Sequence, residues 1–448
     1  MHAEHRLRLR NLIRARVLWF VGLPVLPVLL IALGPATVGA RTLHVRADGT
    51  GDAPTIQAAV DSAAVGDTVL VHEGTYTDVH EDAFGDFSAV EMKSGVIVRS
   101  AAGPAVTYIN VSAGPGPSRG FLCVDCDEST VIEGFTITGG DAYFGAGLLI
   151  VGGAPLITGN ELVDASGGSG GAMTITAASQ TVVRDNRFAN NTACCGPGGA
   201  LLIESSSAPQ VTGNEFAGNS GFNGGAVAVH QAGGEISENL FADNLGSNGG
   251  ALSVFRGDVT VRGNRFMGNQ ASSGGGAIYV HLTETSLFRE NLLRSNEASG
   301  NGGGVLIEDS SPSFGNNTVT GNIAFSGGGI FIRGASSPEF DHDLVAMNQG
   351  SGEIACQVPA QPSFGCCNVY APAGPAYTGD CPDPTGSNGN RSEDPLFCAG
   401  DDATLQECSP CAPAGECDLI GAQPVDCPCE DPTPAATRSW GAIKGVFR

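Results

Sequence analysis

Hydrophobic and polar positions follow one repeated pattern from Gly145 to Asn348. Each copy opens with glycines and a short aliphatic run, as in GGALLI and GGAIYV. The third residue of each run is taken as an anchor, and the anchors recur at steps of 25 to 28 residues: Gly147, Ala172, Ala200, Ala226, Ala251, Ala277, Gly304 and Gly329. Self-similarity at a fixed period of this size predicts a solenoid, in which function must be sought in columns of equivalent residues.

Two further columns are polar and keep step with the anchors. The first column consists of Asn160, Asn186, Asn214, Asn239, Asn264, Asn291, Asn317 and Asp343. The second column consists of Asn191, Asn219, Asn244, Asn269, Asn296, Asn322 and Asn348. We expect both columns to lie at bends, where each side-chain amide can hydrogen-bond to the equivalent amide one coil away.

Three short strands are predicted in each repeat. In the first strand, the residues one and three positions after the anchor are aliphatic or Met, so their side chains point into a core. The second strand supplies the column Ile157, Val183, Val211, Ile236, Val261, Phe288, Phe314 and Phe340, and the third supplies Phe188, Phe216, Phe241, Phe266, Leu293, Val319 and Val345. This arrangement predicts an all-β fold, a right-handed parallel β-helix. The leucine-rich repeat, a solenoid of similar period, is disfavoured because its LxxLxL pattern is absent.

Looser matches extend the solenoid toward the N-terminus, at 131–137, 96–98 and 68–71, which gives about eleven coils in total. Residues 54–63 predict a short amphipathic helix that covers the N-terminal end, with Ile56, Val60 and Ala63 on one face. The predicted boundaries are a signal peptide at 1–40, a β-helix at 41–348 with its cap at 41–66, a Cys-rich final coil and C-terminal cap at 349–429, and a linker and tail at 430–448.

Three segments carry a resemblance to known proteins. Residues 47–79 (ADGTGDAPTIQAAVDSAAVGDTVLVHEGTYTDV) resemble the N-terminal cap and first coil of pectin-lyase-like β-helix proteins, including pectinesterases. The alternation of GGA(I/L) with F-x-x-N resembles the repeats of chlamydial polymorphic outer-membrane proteins. The ending DPLFC, SPC and IGA (394–422) is similar to the closing coil of many secreted bacterial β-helix repeat proteins. The resemblance implies the β-helix fold but not one activity, because this fold hosts lyases, hydrolases, esterases, epimerases and non-enzymatic adhesins.

The N-terminus has the pattern of an export signal. Five arginines precede an apolar run, and Val38-Gly39-Ala40 supplies the small residues of a cleavage site, so we predict cleavage after Ala40 and a secreted or cell-surface protein. An uncleaved N-terminal anchor is the alternative. No later segment is predicted to cross a membrane as a helix.

The net charge and the cysteine content limit the partners and cofactors that are expected. The net charge is −24, and it becomes −28 when the five Arg and one Glu of 1–40 are removed. Such a chain is expected to repel nucleic acid and other polyanions. The 14 cysteines of an exported chain predict disulfides rather than zinc, and no metal or cofactor is predicted. The sequence does not determine the disulfide pairing, the binding of Ca²⁺ or the oligomeric state.

The outward side of the first strand holds the candidate site. Four positions after the anchor, His281, Glu308 and Arg333 fall on successive coils about 4.8 Å apart, where they could abstract a proton or recognise an anion. A solvated column of compensating charges is the alternative. The predicted binding face consists of Glu204, His230, Phe255, Tyr279, His281, Glu308, Phe331 and Arg333. Its apolar members, together with Leu306, predict an exposed patch suited to sugar rings, unless a loop or the C-terminal segment covers them.

Catalytic signatures are missing. The repeats lack the NTD, GHG and RxK segments of polygalacturonases, the RxPxxR segment of pectate lyases and the carboxylate motifs of pectinesterases. The leading hypothesis is therefore a non-catalytic, adhesin-like β-helix that binds polysaccharide or a cell-surface partner. A polysaccharide lyase or glycoside hydrolase and a purely structural rod are the alternatives.

Overall fold

The computed structural model describes residues 39–400, 403–413 and 417–429 of the chain. The chain winds into a parallel β-helix in which each coil passes through three long sheets. Most of the predicted signal peptide (1–40) and the predicted tail (430–448) lie outside the described residues. Within the described ranges, no helix has the length and apolar character that a membrane crossing requires.

Sheet 1 contains the strands that follow the glycine runs. Its strands are His80–Glu81, Phe87–Glu91, Ser118–Val124, Leu148–Val151, Met173–Thr176, Leu201–Glu204, Val227–His230, Leu252–Phe255, Ile278–His281, Val305–Glu308, Ile330–Arg333, Ile354–Cys356 and Tyr377–Gly379. All neighbours pair in parallel except the first two strands, which pair antiparallel.

Sheets 2 and 3 follow sheet 1 along each coil. Sheet 2 comprises Thr42–Val45, Thr68–Val71, Ile97–Ser100, Val131–Glu133, Leu156–Thr158, Val182–Arg184, Gln210–Thr212, Gly233–Ser237, Asp258–Arg262, Leu287–Arg289, Ser313–Gly315, Glu339–Asp341 and Ser363–Gly365. Sheet 3 comprises Gly74–Tyr76, Thr107–Asn110, Thr136–Thr138, Glu161–Val163, Arg187–Ala189, Glu215–Ala217, Leu240–Ala242, Arg265–Met267, Leu292–Arg294, Thr318–Thr320, Leu344–Ala346 and Asn368–Tyr370.

A fourth, shorter sheet lies on the return from sheet 3 to sheet 1. Sheet 4 comprises Ser166–Gly167, Thr192–Ala193, Ser220–Asn223, Leu245–Asn248, Gln270–Gly274 and Glu297–Ala298. The sequence did not predict it, because its strands are short and rich in Ser, Gly and Asn. A separate two-stranded sheet, Leu405–Gln406 with Val425–Cys427, lies in the C-terminal segment.

The β-helix has about thirteen turns rather than the predicted eleven. Sheets 1 and 2 each contain 13 strands. The two strands of sheet 2 that the repeat pattern missed are its first, Thr42–Val45, and its last, Ser363–Gly365. Neither belongs to a coil with the complete glycine and asparagine pattern, so the pattern alone could not count them.

The predicted core columns are confirmed. Phe188, Phe216, Phe241 and Phe266 are fully buried and stack with ring centroids 4.6 to 5.0 Å apart. A second stack runs from Phe288 through Phe314 and Phe340 to Phe364 with centroids 4.8 to 5.1 Å apart. Stacking of this kind buries large apolar area and fixes the register between coils.

Both asparagine columns form buried ladders, as predicted. Asn214 is representative: its backbone N–H and its Nδ2 both donate to Asn239 Oδ1, at 2.8 and 3.0 Å. The same Nδ2 also donates to the Val183 carbonyl at 2.9 Å. Each amide is therefore satisfied on both sides, so a buried polar column costs little and stabilises the bends.

A short helix, α1 (Ile56–Ser62), packs against the first strands, where the N-terminal cap was predicted. The Thr55 side chain caps it by accepting a hydrogen bond from the Ala58 backbone N–H. Ile56, Val60 and Ala63 are buried, in agreement with the predicted apolar face.

The C-terminal segment is held by disulfides. Its four pairs are Cys356–Cys381, Cys366–Cys417, Cys398–Cys427 and Cys408–Cys429, and two more pairs join Cys123 to Cys126 and Cys194 to Cys195. The prediction of disulfides is thus confirmed, with Cys367 and Cys411 as buried free thiols.

The segment packs along the side of the last coils as well as continuing past them. Ile420, Leu405 and Cys411 form an apolar cluster with the outward residues Leu344 and Ala346 of sheet 3. The C-terminal segment therefore covers the outward side of sheet 3 at the last coils. Among the described residues, this apolar cluster contains no residue of sheet 1.

Candidate ligand-binding groove on sheet 1

Apart from the half-buried Tyr279, the residues two positions after the anchors are buried, which corrects the predicted exposed patch. Leu306 is 1% exposed and Phe331 is 7% exposed. The physical reason is the return segment that contains sheet 4, which lies over this column. Gly274 of that segment is so close to Leu306 that an added Cβ would come within 2.6 Å of its Cδ2.

The glycine run allows the return segment to lie this close to sheet 1. Gly249 has φ +65°, and a Cβ added there would come within 2.2 Å of the Leu252 carbonyl oxygen and 3.2 Å of Tyr279 Cβ. A left-handed residue without a side chain is therefore required at this corner. Phe331 joins Leu306 and Ala355 in a buried cluster against which Tyr279 packs, so Phe331 supports the face rather than forming part of its surface.

Three successive residues four positions after their anchors remain partly exposed and form a column of rings. His230, Phe255 and His281 are paired in register on successive strands. Their ring centroids lie 4.8 Å apart between His230 and Phe255 and 5.5 Å apart between Phe255 and His281. The guanidinium of Arg256 lies 5.2 Å from the Phe255 ring centroid, a cation–π distance.

This column forms one wall of a groove of about 330 Å³. The residues that line the groove are Pro197, Phe222, Asn223, Ala228, Val229, His230, Asn248, Ser253, Phe255, Tyr279 and His281. Four members of the predicted binding face, namely His230, Phe255, Tyr279 and His281, thus come together in one cavity. Its other wall comes from the return segment.

Next to the groove, four predicted residues form a hydrogen-bonded cluster. Tyr279 Oη donates to Glu308 Oε2 at 2.7 Å, and Arg333 Nη2 lies 2.9 Å from Glu308 Oε1. His281 Nδ1 lies 2.8 Å from Tyr279 Oη. Because the Tyr279 hydroxyl proton goes to the Glu308 carboxylate, the tautomer of His281 with a hydrogen on Nδ1 fits this contact, with Nδ1–H donating to Tyr279 Oη.

The cluster fixes the charge of its members. Partial burial opposes ionisation of Glu308, but hydrogen bonds from Arg333 and Tyr279 outweigh it and lower the pKa of the Glu308 carboxyl. Burial, reinforced by the hydrogen bond to the Glu308 carboxylate, raises the pKa of the Tyr279 hydroxyl. Glu308 is therefore an anion neutralised by Arg333, and Tyr279 stays protonated at neutral pH.

Glu204 lies on the opposite side of the ring column, paired in register with His230. Its Oε1 accepts a hydrogen bond from Thr176 at 3.4 Å. Glu204 and Glu308 belong to strands four steps apart in sheet 1, on the order of 19 Å, whereas glycosidase carboxylates lie about 5 to 9.5 Å apart. The two glutamates therefore do not form a glycosidase pair.

The groove also contains residues that the sequence columns did not indicate. Pro197, Phe222, Asn223 and Asn248 come from the return segment, and Phe222 is 61% exposed. The one sequence signal that could have indicated this wall was a Phe in a segment otherwise made of Ser, Gly and Asn.

The chain matches known proteins mainly through its repeats. The model of a family described as "right handed beta helix region" matches residues 94–266 and 198–345. No curated protein matches the sequence.

Several solved structures are similar at low identity, among them the following three. One is XylC in complex with xylose, at 11% identity over 80% of this chain and 88% of that chain, with a TM-score of 0.44. Another is the A-module of the mannuronan C-5 epimerase AlgE4 from Azotobacter vinelandii, at 14% identity over 76% of this chain and 95% of that chain, with a TM-score of 0.42. The third is the PL6 family alginate lyase AlyGC, at 15% identity over 77% of this chain and 53% of that chain, with a TM-score of 0.42.

Proposed function

The protein belongs to the right-handed β-helix family, and we propose that it is an exported β-helix that binds a neutral polysaccharide in the groove along sheet 1. The observation that carries the proposal is the column of His230, Phe255 and His281 rings that faces Phe222 across a groove of about 330 Å³. In this proposal, the rigid coils hold the rings and no reaction follows binding.

The chemistry of the groove suits a sugar chain. The apolar faces of sugar rings stack on aromatic side chains, and the exposed Phe222 and the half-buried Phe255 offer such faces. Asn223, Asn248 and the two histidines can hydrogen-bond to hydroxyl groups. A groove with apolar walls and a few polar groups is the general form of a ligand site.

The charge distribution favours a neutral ligand. The lining contains no Asp, Glu, Lys or Arg among the described residues. The nearby Glu308 is neutralised by Arg333, so the cluster beside the groove offers no free cation. Because the whole chain carries a net charge of −24, a polyuronate would meet repulsion, which the single guanidinium of Arg256 beside Phe255 would offset only in part.

Replacing Phe255 by alanine should weaken polysaccharide binding about fivefold or more, because a stacking ring contributes on the order of 1 kcal/mol beyond the area it buries. The measurement is calorimetric titration with soluble starch, laminarin and xyloglucan as neutral polymers, and with pectate and alginate as anionic ones. Phe325→Ala is the matched control, because Phe325 is 80% exposed but does not line the groove. Equal affinities for wild type and Phe255→Ala, or tighter binding of the anionic polymers, would contradict the proposal, and a structural rod would bind none of the five.

Export is part of the proposal and rests on the pattern of residues 1–40 and on six disulfides, which form in oxidising compartments. Expressed with its own N-terminus in a bacterial host, the protein should leave the cytoplasm and begin with Arg41. Edman sequencing of the exported protein tests this, and an intact N-terminus at Met1 would favour an uncleaved anchor.

One observation favours an enzyme as the second candidate. The Glu308 carboxylate and Tyr279 orient His281 so that its Nε2 can act as a base, and a base held by a carboxylate is a common catalytic arrangement. In that case, His281 would abstract a proton from a bound sugar, as in a polysaccharide lyase. An increase in unsaturated-product absorbance that is lost in His281→Ala, or release of reducing ends, would replace the binding proposal with the enzymatic one.

A further inference from the structure

Cys194 and Cys195 form a disulfide between adjacent residues, and both are exposed. They directly follow the sheet 4 strand Thr192–Ala193 and precede the glycine pair that leads into Leu201–Glu204. The disulfide therefore lies within the return segment, which forms one wall of the groove.

The turn that carries this disulfide is bonded to the groove wall in the next coil. The Phe222 backbone N–H donates to the Gly196 carbonyl at 3.2 Å, and the Gly198 N–H donates to the Asn223 carbonyl at 3.0 Å. Pro197, between these two contacts, itself lines the groove. The position of Phe222 and Asn223 thus depends on the backbone of residues 196–198, which begins one bond after Cys195.

A disulfide between neighbours acts differently from one that closes a long loop. Its sequence separation is 1, whereas the pairs of the C-terminal segment span 21 to 51 residues. Breaking it releases no loop, so the free energy of unfolding should change little. What changes is local: the two cysteines regain backbone and side-chain freedom next to Gly196, while the Cys194 N–H keeps its bond to the Gly167 carbonyl.

Exposure makes this pair open to reduction. Thiol–disulfide exchange requires a thiolate to reach a sulfur atom. The Cys123–Cys126 pair is fully buried, and the one other pair with both residues exposed among those described is Cys408–Cys429 in the C-terminal segment. That second pair lines no part of the groove and provides an internal control.

We propose that the Cys194–Cys195 disulfide is a reducible modification site that sets the affinity of the groove, an inference that rests on the proposed function. A dithiol reductant attacks one sulfur and forms a mixed disulfide, and its second thiol then releases the protein. Two electrons and two protons pass to Cys194 and Cys195, which become thiols, and the reductant becomes a cyclic disulfide. Phe222 and Asn223 are then held less firmly, and the groove binds its ligand more weakly.

The experiment compares the full-length protein with the double variant Cys194→Ser/Cys195→Ser and the control variant Cys408→Ser/Cys429→Ser. Hydrogen exchange at the Phe222 amide reports on the wall without any ligand, and it should be faster in the first variant alone. Titration with the neutral polysaccharide that binds wild type best should show a loss of about fivefold, the change expected when one immobilised side chain loses its ordering. Alkylation after graded dithiothreitol treatment should show Cys194 and Cys195 among the first thiols released.

Unchanged Phe222 exchange in Cys194→Ser/Cys195→Ser, or the same change in the control variant, would overturn the proposal. So would the retention of the disulfide under dithiothreitol until the protein unfolds. If wild type binds none of the polysaccharides, the proposed function fails, and with it the control of affinity. The exchange and alkylation results then decide separately whether the pair is a reducible site that orders the wall.

Discussion

Asn239→Ala is expected to lower the free energy of unfolding by about 4 kcal/mol, because each buried polar group left without a partner costs roughly 1 to 3 kcal/mol. Asn239 Oδ1 accepts from both the backbone N–H and the Nδ2 of Asn214; the N–H would lose this acceptor, whereas the Nδ2 would keep the Val183 carbonyl. The Val211 carbonyl would lose the donor Asn239 Nδ2 at 2.9 Å. Since Asn239 is 2% exposed, water cannot readily replace these bonds.

Urea denaturation at pH 7 measures the change, and hydrogen exchange at the Asn214 amide locates it. Asn248→Ala is the matched control, because the Asn248 side chain is only partly buried and makes a single bond to Asn223 Oδ1 at 3.2 Å. The control should lose less than about 1 kcal/mol. A loss at Asn239 no larger than the loss at Asn248 would show that the ladders are not a main source of stability.

Asp343→Asn is expected to remove a large part of the pH dependence of stability. Asp343 takes the place of an asparagine at the end of the first ladder: its Oδ1 accepts from Asn317 N and Nδ2, but its Oδ2 is buried without a partner. Burial raises the pKa of the Asp343 carboxyl from 3.8 to about 7, with a further increase from the charge of Asp341. At neutral pH, the site therefore favours an uncharged group.

The direction of the effect follows from proton linkage. Because the pKa of Asp343 is higher in the folded state, the folded protein binds the proton more tightly. This contribution to stability is complete below about pH 4 and is lost as the pH rises to about 7, a total on the order of 4 kcal/mol at 1.36 kcal/mol per pKa unit. Asp343→Asn should be more stable than wild type at pH 8, and the difference should shrink toward pH 4.

Urea denaturation at pH 4, 6 and 8 checks this prediction. Asp341→Asn is the control, since the Asp341 side chain is 68% exposed, and the variant should keep most of the wild-type pH dependence. Parallel stability profiles for wild type and Asp343→Asn between pH 4 and 8 would refute the argument. Glu353 should show a weaker form of the same behaviour, because burial raises the pKa of its carboxyl from 4.5 to about 7 where it ends the second ladder at Asn348.

The fold could be predicted from the sequence because the repeat period shows which residues occupy equivalent positions on successive coils. The Phe216 and Asn239 columns recur at nearly fixed steps, and inward or outward direction follows from the two-residue alternation of a strand. The same alternation placed His281, Glu308 and Arg333 side by side, and the structure brings all three into one cluster. Their role in function remains a prediction.

The alternation of inward and outward residues along a strand could not show which segment covers an outward side chain. Leu306 and Phe331 point away from the core, yet the return segment and its neighbours bury them. Contacts without a period were also missed: Arg119 is 1% exposed and forms ion pairs with Asp82 and Asp86, more than thirty residues earlier. Nothing local in the sequence distinguishes these charges from solvated ones.

The asparagine ladders have a direction, and this bears on how the protein can change in length. Every Nδ2 from Asn186 to Asn291 donates toward the next coil, so each interior coil presents the same donor on one side and the same acceptor on the other. A gene duplication or deletion of one whole coil would leave no amide unmatched, whereas loss of Asp343 or Glu353 would expose an unpaired donor. The rod can therefore lengthen or shorten by single coils during evolution while its two ends are inherited unchanged.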